Sequence, residues 1–205
     1  LPTWLKFNTH LNTFFGIPPN AAVGKISVKV TASDGKATVS NIFDLTVSNV
    51  NDAPTVANTI ADQSTAEDAS FSYQIPSDTF SDIDPGASLT YSATLSNGSS
   101  LPSWLSFNAS NRTFSGTPKN SEVGTIPVKV TASDGAATVS DTFNIIVKNV
   151  NDAPFIYSAI WDKTHVEDKY FFDQNHNTFK DLDVNDTLTK TATLADGSPL
   201  PSWLF

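Results

Sequence analysis

Residues 126–148 read IPVKVTASDGAATVSDTFNIIVK, two runs of alternating apolar residues on either side of a glycine. Apolar residues stand at the even positions from Ile126 to Ala132 and again at Phe143, Ile145 and Val147. A period of two is that of a strand with one buried face. The sequence SDGA at 133–136 separates the two runs and is typical of a turn, because Gly tolerates positive φ and Asp bonds nearby backbone amides. The stretch therefore predicts a β-hairpin with one apolar face.

The chain repeats this hairpin and its surroundings. Val28 to Gly35 returns unchanged as Val128 to Gly135, and Asn49 to Pro54 returns as Asn149 to Pro154. The sequence LPTWLKFN of residues 1–8 returns as LPSWLSFN at 101–108 and in part as LPSWL at 200–204, at offsets of 99 or 100 residues. A period of about 100 residues is the size of a sandwich domain. Further short strands are expected at 71–73, 89–91 and 112–115, so the chain is predicted to be all-β, built of β-sandwich repeats.

The phase of the repeat predicts the domain organisation. The Asn-Asp-Ala-Pro turn is expected to close each repeat, because the segment around its proline is extended. Residues 1–54 are then the second half of one repeat, residues 55–154 a complete repeat, and residues 155–205 the first half of another. We expect a fragment of a longer protein that self-associates, with residues 155–205 of one molecule completing residues 1–54 of another. The half–whole–half division also leaves open an engineered self-assembling protein.

The composition is acidic and lacks cysteine. The net charge is −9, from 21 Asp and Glu against 12 Lys and Arg. That balance argues against nucleic acid and against anionic membrane surfaces, since phosphates are bound by clustered Lys and Arg. No apolar run approaches the about 20 residues of a membrane-spanning helix, so membrane insertion is not expected. Disulfides are excluded, and bound metal is an alternative means of stabilisation.

Acidic and amide side chains recur at four places in each repeat. Any one of these clusters is explained by the preference of Asp and Asn for turns. Loops at one end of a sandwich converge, however. Carboxylates clustered there repel each other unless cations such as Ca²⁺ neutralise their negative charge. The ligands predicted for Ca²⁺ at the first linker are Asn49, Asn51, Asp52, Glu67, Asp82, Asp84 and Asp134. Those predicted for a second site are Asn149, Asn151, Asp152, Glu167, Asp181 and Asp183, with Asp34 contributed by a partner molecule.

These motifs resemble those of cadherins. Asn-Val-Asn-Asp-Ala-Pro is similar to the cadherin linker, Asp82-Ile-Asp84 to their Asp-x-Asp motif, and the turn around Asp134 to their Ala-x-Asp-x-Gly turn. The sequence LPSWLSF at 101–107, with TFSGTP at 113–118, resembles the dystroglycan-type cadherin-like (CADG) repeats of bacterial surface and secreted proteins. The resemblance implies cadherin/immunoglobulin-like sandwiches, Ca²⁺ at the linkers, an extracellular or cell-surface location and a role in adhesion. It fails at 16–19 and 116–118, where cadherins have an acidic Asp-Arg-Glu-like motif, so fewer or weaker ions are expected.

The leading hypothesis is a Ca²⁺-stiffened spacer and adhesion module, not an enzyme. No Ser/His/Asp order, phosphate-binding loop or repeated carboxylate pair points to catalysis. The expected partners are other copies of the chain, and a polysaccharide or another cell-surface protein. The alternative is a carbohydrate-binding module, which an exposed aromatic row around Tyr157, Trp161 and Tyr170 would favour.

The remaining aromatic and histidine residues are expected to have structural roles. The repeated tryptophans Trp4, Trp104 and Trp203 are predicted to pack in or beside the core. The three histidines, His10, His165 and His176, do not recur between repeats and are predicted to lie on the surface.

Overall fold

The structure is a computed structural model that describes residues 1–174, 177–183 and 186–204. His176 lies outside the described residues. Residues 1–48 contain β1 Lys6–Asn8, β2 Thr13–Phe15, a 3-10 turn Asn20–Ala22, β3 Gly24–Ser33 and β4 Thr38–Val47. Residues 55–148 contain β5 Thr55–Val56, β6 Gln63–Ala66, β7 Phe71–Gln74, β8 Phe80–Ser81, β9 Thr90–Leu95, β10 Leu105–Asn108, β11 Thr113–Gly116, a 3-10 turn Asn120–Glu122, β12 Gly124–Ser133 and β13 Thr138–Lys148. In the described residues after 154, the strands are β14 Phe155–Ile156 and β15 Phe179–Lys180.

Residues 55–148 form a β-sandwich of two sheets. One sheet has the order β10-β11-β7 and the other the order β6-β13-β12-β9. All neighbours in these sheets are antiparallel except β6, which lies parallel to β13. The two sheets meet through aromatic rings, with Phe143 5.7 Å from Phe114 and 5.9 Å from Tyr73. The prediction of an all-β, cadherin/immunoglobulin-like sandwich repeat is confirmed.

The hairpin predicted at residues 126–148 forms the two central strands of the four-stranded sheet. Strands β12 and β13 pair along their whole length, from Gly124 opposite Val147 to Ser133 opposite Thr138. The alternation predicted from the sequence appears in the burial, because Val128, Val130 and Ala132 are fully buried. Gly135 in the connecting turn has φ +97°, a conformation that side chains disfavour.

Residues 1–48 have the local structure of the matching half of the central repeat. Strands β3 and β4 pair in the same register as β12 and β13. The ring of Phe14 lies 4.6 Å from Phe7 and 5.3 Å from Phe43, as Phe114 lies 4.6 Å from Phe107 and 5.7 Å from Phe143. Similar sequences, identical from Val28 to Gly35 and from Val128 to Gly135, thus form hairpins of the same register in both repeats.

The tryptophans differ in their surroundings. Trp104 is partly buried against the core, with its ring 6.4 Å from that of Phe71. Trp203 is 70% exposed, so its predicted packing role is wrong for the described residues. Residues 171–174, which correspond to β7, form no strand that could lie over it as β7 lies over Trp104. Trp161 is 77% exposed. The described part of the chain contains no helix long and apolar enough to cross a bilayer.

Candidate metal centres at the two linkers

The length of β12 and β13 separates the acidic residues into two groups. The β12–β13 turn, with Asp134, lies at one end of the sandwich, and Lys148 at the other. Strand β9 starts with Thr90 opposite Ser133, so the loop that carries Asp82 and Asp84 lies near the Asp134 end. We call the group around residues 49–54 the first cluster and the group around residues 149–154 the second cluster.

Hydrogen bonds from the linker hold the first cluster together. The backbone amide of Asp52 donates to Asp84 Oδ2 over 2.9 Å, and the side-chain amide of Asn51 donates to Asp134 Oδ2 over 3.0 Å. The backbone amide of Asp84 donates to Asp82 Oδ1 over 2.9 Å. Two residues of the linker thus contact carboxylates from two distant loops, so Asp84 and Asp134 lie at the same linker. That these carboxylates and Asp82 bind one ion stays a prediction.

Two oxygens of this cluster are buried and accept no hydrogen bond. They are Asp82 Oδ2 and Asp84 Oδ1. A buried carboxylate oxygen without a partner is costly, because it has lost water and gained nothing in exchange. A cation bound between these oxygens would remove that cost, and oxygen-only donors of this kind suit Ca²⁺.

Glu67 does not belong to the first cluster, and its expected grouping with Asp82, Asp84 and Asp134 is wrong. Its Oε1 accepts from the backbone amide of Val150 over 2.7 Å, and its own amide donates to the carbonyl of Lys148 over 3.0 Å. The reason is the parallel pairing of β6 with β13, which places Ala66 beside Lys148. Glu67 is 3% exposed, its Oε2 accepts no hydrogen bond, and it faces the second linker.

The second cluster repeats two of the bonds of the first and adds a third. The backbone amide of Asp152 donates to Asp183 Oδ2 over 2.8 Å, and that of Asp183 to Asp181 Oδ1 over 3.0 Å. The side-chain amide of Asn149 donates to Asp183 Oδ1 over 3.1 Å. Ligand oxygens of Asp181, Asp183 and Asp186 lie within 4.8 Å of one another, which is close enough for one ion.

Three residues of these clusters were not predicted. Asp186 lies three residues after Asp183, the last residue of the second Asp-x-Asp motif. The central repeat has Ala87 at the corresponding position. Asn20 and Asn120 donate to the side chains of Asp52 and Asp152 over 2.5 and 2.6 Å. Their recurrence at an offset of 100 residues was the signal available in the sequence.

The other predicted ligands lie apart from the two clusters or at their edge. Asn49 and Asn151 are exposed, and Asn151 donates to the carbonyl of Asp152 over 2.9 Å. Asp34 lies in the β3–β4 turn, where it accepts from the backbone amides of Lys36 and Ala37 over 2.9 and 2.7 Å. Glu167 is exposed beside Lys163 and Asp168. Its predicted grouping with Asp181 and Asp183 stays a prediction.

Hydrogen bonds favour the ionised form of the turn aspartates. The backbone amide of Ala137, the side-chain amide of Asn51 and the backbone amide of Ala136 hold the pKa of Asp134 below its usual 3.8. The backbone amides of Ala37 and Lys36 similarly lower the pKa of Asp34. Both carboxylates are therefore charged at neutral pH and available to a cation.

Comparisons with known proteins point to Ig-type domains. The family model He_PIG, "Putative Ig domain", matches residues 1–48 and 53–148. Axial budding pattern protein 2 of Saccharomyces cerevisiae is 30% identical over 163 residues, which are 66% of this chain and 19% of the yeast protein. This chain thus spans about a fifth of the length of that relative.

Solved structures to which this chain is similar include mouse clustered PcdhgC3 EC1-3 and the endo-fucoidan hydrolase MfFcnA4 of glycoside hydrolase family 107. The first is 15% identical with a TM-score of 0.49, over 72% of this chain and 51% of that chain. The second is 24% identical with a TM-score of 0.39, over 73% of this chain and 22% of that chain. Because this family model matches residues 1–48 and 53–148, the chain belongs to the He_PIG family of Ig domains.

Proposed function

We propose that the chain is a Ca²⁺-binding structural and adhesion module of a large secreted or surface-attached protein, without catalytic activity. The observation that carries this proposal is the set of buried carboxylate oxygens without hydrogen bonds: Asp82 Oδ2 and Asp84 Oδ1 at the first linker, and Glu67 Oε2 at the second. The CADG-like motifs of the sequence support the same assignment. The curated relative is a yeast protein, so this repeat type is not restricted to the bacterial proteins that the motifs resemble.

Calcium at these positions would stiffen the junctions between repeats. The first cluster joins the linker residues Asn51 and Asp52 to loops of the following sandwich. The second joins Asn149 and Asp152 to the Asp181–Asp183 loop, and Val150 to Glu67 of the preceding sandwich. An ion shared by these groups would couple two repeats to one linker and restrict the angle between them.

Calorimetric titration and thermal unfolding with Ca²⁺ test this function. With a Kd of about 10⁻⁴ M, as in extracellular modules, about 10 mM Ca²⁺ should stabilise the native state by about 2.7 kcal/mol. Asp82→Asn combined with Asp84→Asn should remove the stabilisation that arises at the first linker, because amides retain the shape but not the charge. Asp78→Asn is the matched control, since Asp78 is exposed and outside both clusters. A wild-type melting temperature that is the same in Ca²⁺ and in chelator would contradict the proposal.

Carbohydrate binding is the second candidate, and exposed aromatic rings favour it. Tyr157, Trp161 and Tyr170 are 58%, 77% and 85% exposed. The central repeat has Ala57, Ala61 and Ser70 at these positions, and all three are exposed in the completed sandwich. The aromatic rings would therefore remain on the surface of a complete repeat, where sugar rings could stack on them.

Affinity electrophoresis on a panel of polysaccharide gels tests this candidate. Retardation by one of the gels that is lost in Trp161→Ala would support it, and retention should be unaffected by Asp82→Asn with Asp84→Asn. Equal mobility of wild type and Trp161→Ala in every gel would exclude a role for this ring.

A further inference from the structure

The aspartate of each linker is held by the repeat that precedes it. The side-chain amide of Asn20 donates to Asp52 Oδ2 over 2.5 Å. The side-chain amide of Asn120 donates to Asp152 Oδ2 over 2.6 Å. Both asparagines are partly buried, and each begins a 3-10 turn of three residues. We call these two hydrogen bonds the asparagine contacts, and their recurrence shows that they belong to the repeat rather than to one linker.

The hairpin of each repeat brings the two side chains of an asparagine contact together. In the central repeat, β12 begins with Gly124 opposite Val147. The chain before β12 and the chain after β13 therefore leave the hairpin at the same end. Asn120 lies four residues before Gly124, and Asp152 lies five residues after Val147. Strands β3 and β4 pair in the same register, so one hairpin and its two flanking segments are sufficient to form the contact.

The backbone of the same aspartate is held by the following repeat. The backbone amide of Asp152 donates to Asp183 Oδ2 over 2.8 Å, and that of Asp52 donates to Asp84 Oδ2 over 2.9 Å. One linker residue therefore contacts two repeats, the preceding one through its carboxylate and the following one through its backbone amide. A large change in the angle between two repeats must break one of these two bonds.

The two sides of the linker differ in their electrostatics. On the following side lie clustered carboxylates, whose buried oxygens without hydrogen bonds, such as Asp84 Oδ1, repel one another when no cation is bound. On the preceding side, a neutral amide donates to one carboxylate, and this attraction needs no ion. The N–H group of an amide does not bind a cation, because it presents a hydrogen atom and no free electron pair. A hydrogen bond therefore closes the preceding side, whereas the following side has groups that an ion would bring together.

The second linker has a further ion-independent bond to the preceding repeat. The backbone amide of Val150 donates to Glu67 Oε1 over 2.7 Å. The other oxygen of this carboxylate, Oε2, is buried without a hydrogen bond and is available to a cation. The bond to Val150 is an attraction between an amide and a carboxylate, so it too persists without an ion.

We propose that Asn20 and Asn120 attach each linker to its preceding repeat without an ion, so that Ca²⁺ controls only the contact with the following repeat. The role of Ca²⁺ in this inference rests on the proposed function, whereas the asparagine contacts do not. When Ca²⁺ is removed, the linker separates from the following repeat and moves with the repeat before it. The hinge of each junction then lies on the following side of the linker aspartate.

Hydrogen exchange of the linker amides, measured by NMR, tests the proposal. At the second linker, the amide of Val150 reports on the preceding repeat and that of Asp152 on the following repeat. Replacement of Ca²⁺ by chelator should accelerate the exchange of Asp152 about tenfold or more, and that of Val150 less than about twofold. Equal acceleration of the two amides in the wild type would overturn the proposal.

Asn120→Ala removes the asparagine contact at the second linker. In this variant chelator should accelerate the exchange of both amides, because Glu67 alone then holds the linker to the preceding repeat. Asn20→Ala is the matched control: it removes the same bond at the first linker and should leave the exchange of Val150 as in the wild type. Exchange of Val150 that is as slow in Asn120→Ala as in the wild type would overturn the proposal.

Asn120→Asp tests the attraction itself in a side chain of the same shape. The substitution places two carboxylates at hydrogen-bond distance, where they repel each other unless a cation lies between them. In chelator, Val150 should therefore exchange faster in Asn120→Asp than in Asn120→Ala, and Ca²⁺ should reverse this order. Slow exchange of Val150 in Asn120→Asp in chelator would overturn the proposal. Thermal transitions matching the wild type would show that the variants are folded.

The inference and the proposed function fail in different ways. If the exchange of Asp152 in the wild type is the same in Ca²⁺ and in chelator, control by Ca²⁺ is rejected. Faster exchange of Val150 in Asn120→Ala would in that case still support the asparagine contact. Exchange of Asp152 that depends on Ca²⁺, without any effect of Asn120→Ala on Val150, would support calcium binding and reject the asparagine contact.

Discussion

At the scale of single residues, the turn aspartates show how one linker amide changes a carboxylate. Asp134 and Asp34 occupy identical turns, and each accepts two backbone amides of its own turn. Asp134 accepts in addition from Asn51, a residue of the linker. The pKa of both is lowered, with the amide of Asn51 as an added cause for Asp134.

We predict that Asn51→Ala raises the pKa of Asp134 and leaves that of Asp34 unchanged. Carboxyl NMR titration in chelator measures both groups in one sample. Since both folded-state pKa values lie below 3.8, the ionised groups stabilise the fold above about pH 3.8, and this contribution is lost as pH falls through the lowered pKa. An Asp134 titration that is unaffected by Asn51→Ala would show that the linker does not contact this turn in solution.

At the scale of elements, a glycine allows β10 and β11 to approach each other. Gly116 pairs with Leu105, and a Cβ added at Gly116 would lie 1.8 Å from the carbonyl oxygen of Trp104. Gly16 has the same clash with the carbonyl of Trp4. The same close backbone contact therefore requires a glycine at the same position of both repeats.

We predict that Gly116→Ala destabilises the central sandwich by at least about 2 kcal/mol, because strand backbone must move to accept the methyl group. Gly98→Ala is the matched control: its φ of +87° disfavours Ala, but no atom lies within 4 Å of the added Cβ. The control should cost about 1 kcal/mol. Urea unfolding of both variants measures the difference, and an equal or larger loss in Gly98→Ala would contradict the close-contact explanation.

At the scale of the whole molecule, the linkers are the places where repeats meet and where the unpaired carboxylate oxygens lie. Without a cation these oxygens repel one another, which favours separation of the linker from the loops. With a cation, the linker and both neighbouring repeats share ligands. The stiffness of the molecule should therefore depend on Ca²⁺ more than the folding of the sandwich does.

We predict that removal of Ca²⁺ changes the small-angle scattering of the chain from that of a rigid particle to that of a flexible one. Measurement over a dilution series, with the molecular mass taken from the forward scattering, separates changes at the linkers from changes in association. Asp82→Asn with Asp84→Asn should give the flexible curve even in Ca²⁺. Identical curves in Ca²⁺ and chelator would reject a stiffening role for the ion.

The hairpin, the sandwich class and the position of the Asp82–Asp84 and Asp134 loops at one end of the sandwich were predictable from the sequence. The alternation of Val128, Val130 and Ala132 is local, and the register of a hairpin follows from its turn. Asp82, Asp84 and Asp134 lie at one end of the sandwich, because their loops precede or connect strands at that end of the sheet.

Only the tertiary structure decided to which end Glu67 belongs. Strand β6 has four residues and could lie in either direction along β13; its parallel pairing, between residues 82 positions apart, is not specified by local periodicity. The same holds for the exposure of Phe43 and Phe179, which stand at the same repeat positions as the buried Phe143 and Phe80. Sequence determined which faces are apolar, but the spatial neighbours determined which of them are covered, because burial depends on strands brought together from distant parts of the chain.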